Sequence, residues 1–187
     1  MADPDELLLD ADGRMDGAVQ AFERELNGIR TGRAHPSLVE TLSVDYYGTP
    51  TPLNQLGSIN APESRLITIQ VWDRGAVSAI EKAIQASDLG LNPAIDGQTV
   101  RLPIPALTEQ RRKDLVKLLN NKTEEARVAV RNVRRHAHDE LRKAERDGGI
   151  SKDDIKRHEE ELQKLTDDHI ATIDAKSKEK EADLLEV

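Results

Sequence analysis

The chain has 187 residues, room for one large domain or two small ones around a real core. Charged residues make up 33% and aromatics only 2%, which favours long amphipathic helices over an aromatic-rich sandwich or a stacking platform for single-stranded bases. The absence of cysteine excludes a disulfide frame, a thiolate nucleophile and cysteine-ligated zinc, and a net charge of −8 argues against nucleic acid only if it is evenly spread.

It is not evenly spread. Residues 1–30 carry a net −5, residues 31–104 a net −2 and residues 147–187 a net −6, whereas residues 105–146 hold 12 basic against 7 acidic side chains, net +5. One basic stretch among acidic neighbours can hold a phosphate backbone locally while bulk repulsion suppresses indiscriminate binding.

The acidic opening, MADPDELLLDADG, lacks the basic and apolar blocks of a signal or transit peptide, and no run approaches the ~18 apolar residues of a membrane span. A cytoplasmic protein without a membrane partner is expected. A first helix is predicted over residues 5–29, because Met15, Val19, Phe22, Leu26 and Ile29 recur three and four apart, extended backwards by Leu8 and Ala11.

The pattern stops at Arg30-Thr31-Gly32-Arg33, and seven of the eight prolines fall between there and Pro105. Short runs of strand length appear at residues 38–46, 66–71 and 100–104, and GTPTP at 48–52 reads as turn and linker chemistry. Val77, Ile80 and Ile84 sketch one short helix that Gly90 ends as a left-handed stop. Strands plus one helix in this span predict a small α+β domain, residues 31–105, inserted between helices and joined through two linkers that suit a hinge.

Residues 108–146 contain no proline or glycine. Leu115, Leu119, Ala126, Val130, Val133, Ala137, Leu141 and Ala144 form one stripe on a helix that Thr108 is placed to cap. At about 100° per residue, Arg127, Arg131, Arg134 and His138 fall within a sector of roughly 60° beside that stripe, and Arg135 and Arg142 widen it. After Asp147-Gly148-Gly149, Ser151 caps a last helix with Ile155, Leu162, Leu165, Ile170 and Ile173 as its stripe, running out to about Leu184; residues 176–181 read as a solvated charge run at a fraying end. Two helices of this length span ~50 Å each and, joined by a short loop, run antiparallel. With the first helix they make an elongated three-helix bundle of residues 1–30 and 106–187.

No phosphate-binding glycine loop, dinucleotide fingerprint or H-E-x-x-H pair is present, so no cofactor, metal site or catalytic residue is expected. His136 and His138 point about 100° apart per residue and lack a third ligand, and His158 and His169 lie near the last stripe as structural histidines. A site around Tyr46, Tyr47 and Trp72 would lack a base, nucleophile or metal set. Read alone, the arginines fit two roles equally well: gripping an anion, or pairing with acidic helices of the same bundle. A helical adaptor or chaperone-like module for protein partners is the other class of function open at this point.

IRTGRA at 29–34, YYGTPTP at 46–52, SDLGLNP at 87–93, LTEQRRKDL at 107–115 and ARVAVRNVRR at 126–135 resemble, in order and spacing, the ribosome recycling factor family. Gln110 stands where a glutamate is expected, and Ala106 where a second proline is common. The resemblance implies an L-shaped α+β molecule of two domains, a three-helix bundle with a small α+β insertion. It implies a factor that binds the post-termination ribosome and, with elongation factor G and its GTP hydrolysis, separates the subunits from each other and from mRNA while supplying no bond chemistry itself. The helical stripes, which turn over within one bundle interrupted by an insertion, favour a monomer. Arg112, Arg131 and Arg134 match positions expected to contact large-subunit rRNA, and the helical wheel adds Arg127 and Arg135. Arg30, Thr31, Gly32, Pro103 and Pro105 match the hinge.

Overall fold

In the computed structural model, which describes residues 3–186, the chain divides into two compact units. One holds the described residues up to Arg30 and from Glu109 onward; the other is Thr31–Thr108. The chain crosses between them at Arg30–Thr31 and at Thr108–Glu109, so residues 106–108 group with the inserted unit. The expected ends of the bundle, positions 1 and 187, lie outside the described residues.

The first unit is three helices: α1 (Pro4–Asn27), α3 (Glu109–Arg146) and α4 (Lys152–Leu185). Asp3 caps α1, its carboxylate accepting from the Asp5 N–H at 3.1 Å, with Asp5 and Glu6 at the positive end of the helix dipole. α1 buries Leu8, Ala11, Met15, Val19, Phe22 and Leu26. On α3 the expected stripe is buried except for Val133, which is half-buried. Burying one Leu or Ile contributes roughly 1.5–3 kcal/mol, against a few tenths for an exposed ion pair along a helix, so the stripes set the packing.

α3 ends in a Schellman turn. Gly148 takes φ +76°, its N–H reaches Glu145 O and that of Gly149 reaches Ala144 O, both at 3.0 Å. Ser151 then caps α4 by accepting from the Asp154 N–H at 3.1 Å. The short loop makes α3 and α4 antiparallel, while α1 runs parallel to α4, with Asp12 Oδ1 3.4 Å from His169 Nε2 and Glu23 paired with Lys176. Helix α4 runs to Leu185, close to its expected end near Leu184, but residues 176–181 are not the solvated, fraying run expected, because this segment packs. Ser177 is buried with its hydroxyl 2.8 Å from Thr123, and Lys180 is half-buried, which lowers its pKa by desolvation. His158 is 4% exposed, and its buried Nδ1 makes no hydrogen bond among the described residues.

The second unit has two antiparallel sheets and one helix. Strand β1 (Ser43–Tyr46) pairs with β2 (Thr49–Pro52). A four-stranded sheet follows in the order β3-β4-β6-β5, from β3 (Gly57–Glu63), β4 (Leu66–Val71), β5 (Ala94–Asp96) and β6 (Thr99–Pro103). Helix α2 (Val77–Ala86) buries Val77, Ile80 and Ile84 in the core with Ile67, Ile69, Val100 and Leu102 of the sheet. It ends at Ser87, which is extended; Gly90 takes its positive φ of 66° three residues later, past the helix end.

The proline-rich GTPTP segment was expected as turn and linker, yet most of it is strand. Tyr47 and Gly48, at φ 49° and 84°, form a two-residue turn of the kind that matches strand twist. The register places Pro50 opposite Asp45 and Pro52 opposite Ser43, at positions whose nitrogens face away from β1. Proline costs no ladder hydrogen bond there.

Candidate nucleic-acid interface

Arg127, Arg134 and Arg142 of α3 reach side chains of α4, and the bundle uses the donors of this row unequally. Arg127 is the most engaged. Its Nη2 lies 2.7 Å and its Nε 2.8 Å from Asp174 Oδ1, and its Nη1 lies 3.1 Å from Glu124. Those carboxylates, Asp174 first, raise the Arg127 pKa further, and the Arg127 hydrogen bond is the main cause lowering that of Glu124. Arg131, exposed, meets the other oxygen of Glu124 at 3.2 Å. Arg134, half-buried, donates from Nη1 to Gln163 Oε1 at 3.1 Å and keeps its remaining donors.

Arg135 is exposed and Arg112 half-buried, and neither has a hydrogen-bond or ion-pair partner among the described residues. A glycine- and proline-free helix with its apolar stripe packed inward keeps both groups off that stripe. The departure at Gln110 is accommodated locally, its amide donating to Asp114 at 3.0 Å.

Sequence reasoning missed the acceptors that accompany this row. Glu159 and Gln163 of α4 stand beside Arg134, Arg135 and His138. Glu159 Oε1 lies 2.7 Å from Arg142 Nε and 3.1 Å from His138 Nε2. The two sets of positions are far apart in sequence, so only the α3–α4 pairing brings them together.

Among the expected hinge residues, Arg30 ends the first unit and is exposed. Gly32 takes φ +75°, and a Cβ there would sit 3.0 Å from Leu107 Cγ, so the entering and leaving segments of the second unit pack closely at this point. Thr31 is half-buried beside it. Pro103 is the last residue of β6, opposite Leu66, and Pro105 lies exposed between β6 and α3.

In the second unit, Tyr46 and Tyr47 both donate to Asp73 Oδ2, at 2.8 and 3.3 Å. The Tyr46 hydroxyl and the Gly75 N–H lower the Asp73 pKa, and Asp73 in turn raises both tyrosines. Hydroxyls held protonated in this way are poorly suited as bases or nucleophiles. No group of three or more carboxylates or histidines among the described residues is placed to hold a metal, and no described helix is long and apolar enough to cross a membrane.

Comparison with known proteins identifies the family. The family model described as ribosome recycling factor matches residues 22–185. The ribosome-recycling factor of Geobacillus kaustophilus is 56% identical over 182 residues, covering 97% of this chain and 98% of that protein. That of Thermomicrobium roseum is 55% identical over 183 residues, covering 98% and 99%. A solution structure of the ribosome recycling factor superposes with a TM-score of 0.77 at 46% identity, covering all of both chains. A second similar structure comes from models of the T. thermophilus ribosome recycling factor and the E. coli elongation factor G bound to the E. coli post-termination complex; its TM-score is 0.66 at 45% identity over 99% of this chain and 100% of that one. Identity above one half along nearly the whole length, together with the same arrangement of helices and sheets, means that this chain belongs to the ribosome recycling factor family.

Proposed function

We propose that this protein binds the ribosome after termination and, together with elongation factor G, promotes separation of its subunits and release from mRNA. The support from relatives is 56% identity to a ribosome-recycling factor over 97% of this chain and similarity to a factor described with elongation factor G on the post-termination complex. The observation that carries the molecular reading is α3, where guanidinium donors of Arg131, Arg134 and Arg135, and of Arg112 in its first turn, stay available while the apolar stripe faces inward.

Guanidinium forks grip phosphate oxygens in pairs and fix position on RNA without reading sequence. The bundle is anchored on large-subunit rRNA in this way. Arg127 contributes little, because Asp174 and Glu124 already neutralise it. The smaller unit receives the push of the translocase, and the paired crossings around Arg30-Thr31-Gly32 and Pro103 to Pro105 act as the hinge. The chain performs no bond chemistry and holds no cofactor; GTP hydrolysis belongs to the partner. It works in the cytoplasm as a monomer, since its three helical stripes satisfy one another.

Co-sedimentation with large subunits, paired with a splitting assay with and without elongation factor G and GTP, tests the proposal. Binding should fall with rising salt as several counterions are released, and splitting should require both the factor and GTP. A flat salt response, or splitting independent of elongation factor G, would refute it.

A further inference from the structure

The row of arginines borders a cleft of about 320 Å³ between α3 and α4, lined by Arg134, Arg135, His138, Glu159, Leu162 and Gln163. That volume lies at the lower end of clefts that take small ligands, roughly 300–1,000 Å³. We propose that this cleft receives one unstacked nucleobase of the large-subunit RNA, in addition to the phosphate contacts made by the surrounding arginines. The inference rests on the RNA-binding role proposed above and adds what that surface recognises.

A phosphate is the simpler guest for arginines, but the cleft is not simply cationic. Glu159 stands in its wall with a side chain only 22% exposed. Its Oε1 lies 2.7 Å from Arg142 Nε and 3.1 Å from His138 Nε2 but is buried without a well-aligned hydrogen bond, and its Oε2 has no partner among the described residues. A phosphate entering here would meet a carboxylate at close range, which is unfavourable. A nucleobase carries no charge, and every base presents an N–H that a carboxylate oxygen can accept, next to ring acceptors that arginine N–H groups can satisfy.

Leu162, 2% exposed, closes the floor of the cleft as part of the bundle core. Arg134 is held in place by a relay: its Nη1 donates to Gln163 Oε1 at 3.1 Å, and Gln163 Nε2 donates to Asp167 Oδ1 at 2.8 Å. A guanidinium fixed in this way is a planar surface on which a base can stack, as the aromatic side chains missing from this helix would otherwise provide.

The test uses the full chain on large ribosomal subunits, read by hydroxyl-radical cleavage for the RNA backbone and by base-specific modification for the Watson–Crick edges. The wild type should protect a backbone patch and, within or beside it, one base edge. Glu159→Gln turns the free acceptor towards donation once its oxygen serves Arg142. It should retain the backbone patch, lose the base protection and bind about tenfold more weakly, with an unchanged salt slope. The sign is diagnostic: removing a negative charge strengthens binding if the cleft takes phosphate. Glu159→Asp keeps the charge and withdraws the free oxygen, so it must lose the base protection too, whether or not Glu159→Gln keeps its helical circular dichroism. Tighter binding by Glu159→Gln, or base protection that persists in Glu159→Asp, overturns the inference. A wild type with no backbone patch overturns the RNA-binding role itself.

Discussion

Arg127 and Arg135 lie eight residues apart on one edge of α3, and the bundle treats them oppositely. Arg127 spends three nitrogens on Asp174 and Glu124, at 2.7 to 3.1 Å, whereas Arg135 has no partner among the described residues. A buried charge-assisted contact of this kind is worth about 1.5–3 kcal/mol. The Arg127 and Asp174 side chains are 32% and 40% exposed, and solvent screening reduces the figure to about 1 kcal/mol. Arg127→Ala should therefore lower the bundle's unfolding transition by about 1 kcal/mol, or roughly 3–4 °C, in urea and thermal melts followed by helical circular dichroism. Its affinity for large subunits and its salt slope should stay close to wild type. Arg135→Ala should leave the melt within about 0.5 kcal/mol, weaken subunit binding about fivefold, and reduce the salt slope by about 1. The reverse pattern, with Arg127→Ala losing affinity and slope at unchanged stability, would show that the ion pair opens to RNA and that this assignment of roles is wrong.

Three further perturbations probe the second unit. Gly32→Ala places a Cβ 3.0 Å from Leu107 Cγ at φ +75°, and should cost about 1–3 kcal/mol in that unit's melt, with the cost of the backbone angle persisting when Leu107 is trimmed to Ala. Gly57→Ala, whose Cβ would lie 2.5 Å from the Gln70 carbonyl oxygen, should be at least as damaging, because backbone cannot move aside as a side chain can; a wild-type melt would show that β3 and β4 are spaced more widely. Asp73 ionises below its ordinary 3.8 and Tyr46 and Tyr47 above their ordinary 10.0, so the contribution of this cluster is present between those values. It should be lost as pH falls through the lowered Asp73 pKa and as pH rises through the raised tyrosine values. With two tyrosines in the chain, phenolate absorbance reads them directly, and Asp73→Asn should bring their titration down towards 10.0; an unchanged curve would remove Asp73 as the cause.

The long helices were legible in the sequence because an uninterrupted 3.6-residue apolar period over some 35 residues has no other stable reading. The positions buried on α1 and α3 are those the spacing names, with Thr123 as an addition that only its pairing with Leu119 and Ser177 explains. The strands were less legible. β5 is three exposed residues, β3 carries Pro62 and a register shift, and β2 alternates threonine with proline. Edge strands satisfy half their hydrogen bonds through a neighbour and need little apolar patterning, so composition does not announce them.

What the chain determined by itself is the periodic apolar stripe of α1 and α3, the arginine row beside the stripe of α3, and the resemblance that names the family, since all three follow from residue type and spacing. On α4, by contrast, Leu165 and Ile170 are half-buried and His158, Thr166 and Ser177 are buried instead. Tertiary structure alone decided which arginines remain available. A helical wheel puts Arg127 and Arg134 in one sector, but whether a guanidinium is neutralised depends on what stands across the interface: Asp174 for the first, a neutral Gln163 for the second. Those partners lie 47 and 29 residues away along the chain, and only the packing of α4 against α3 brings their charge, or lack of it, within hydrogen-bond reach.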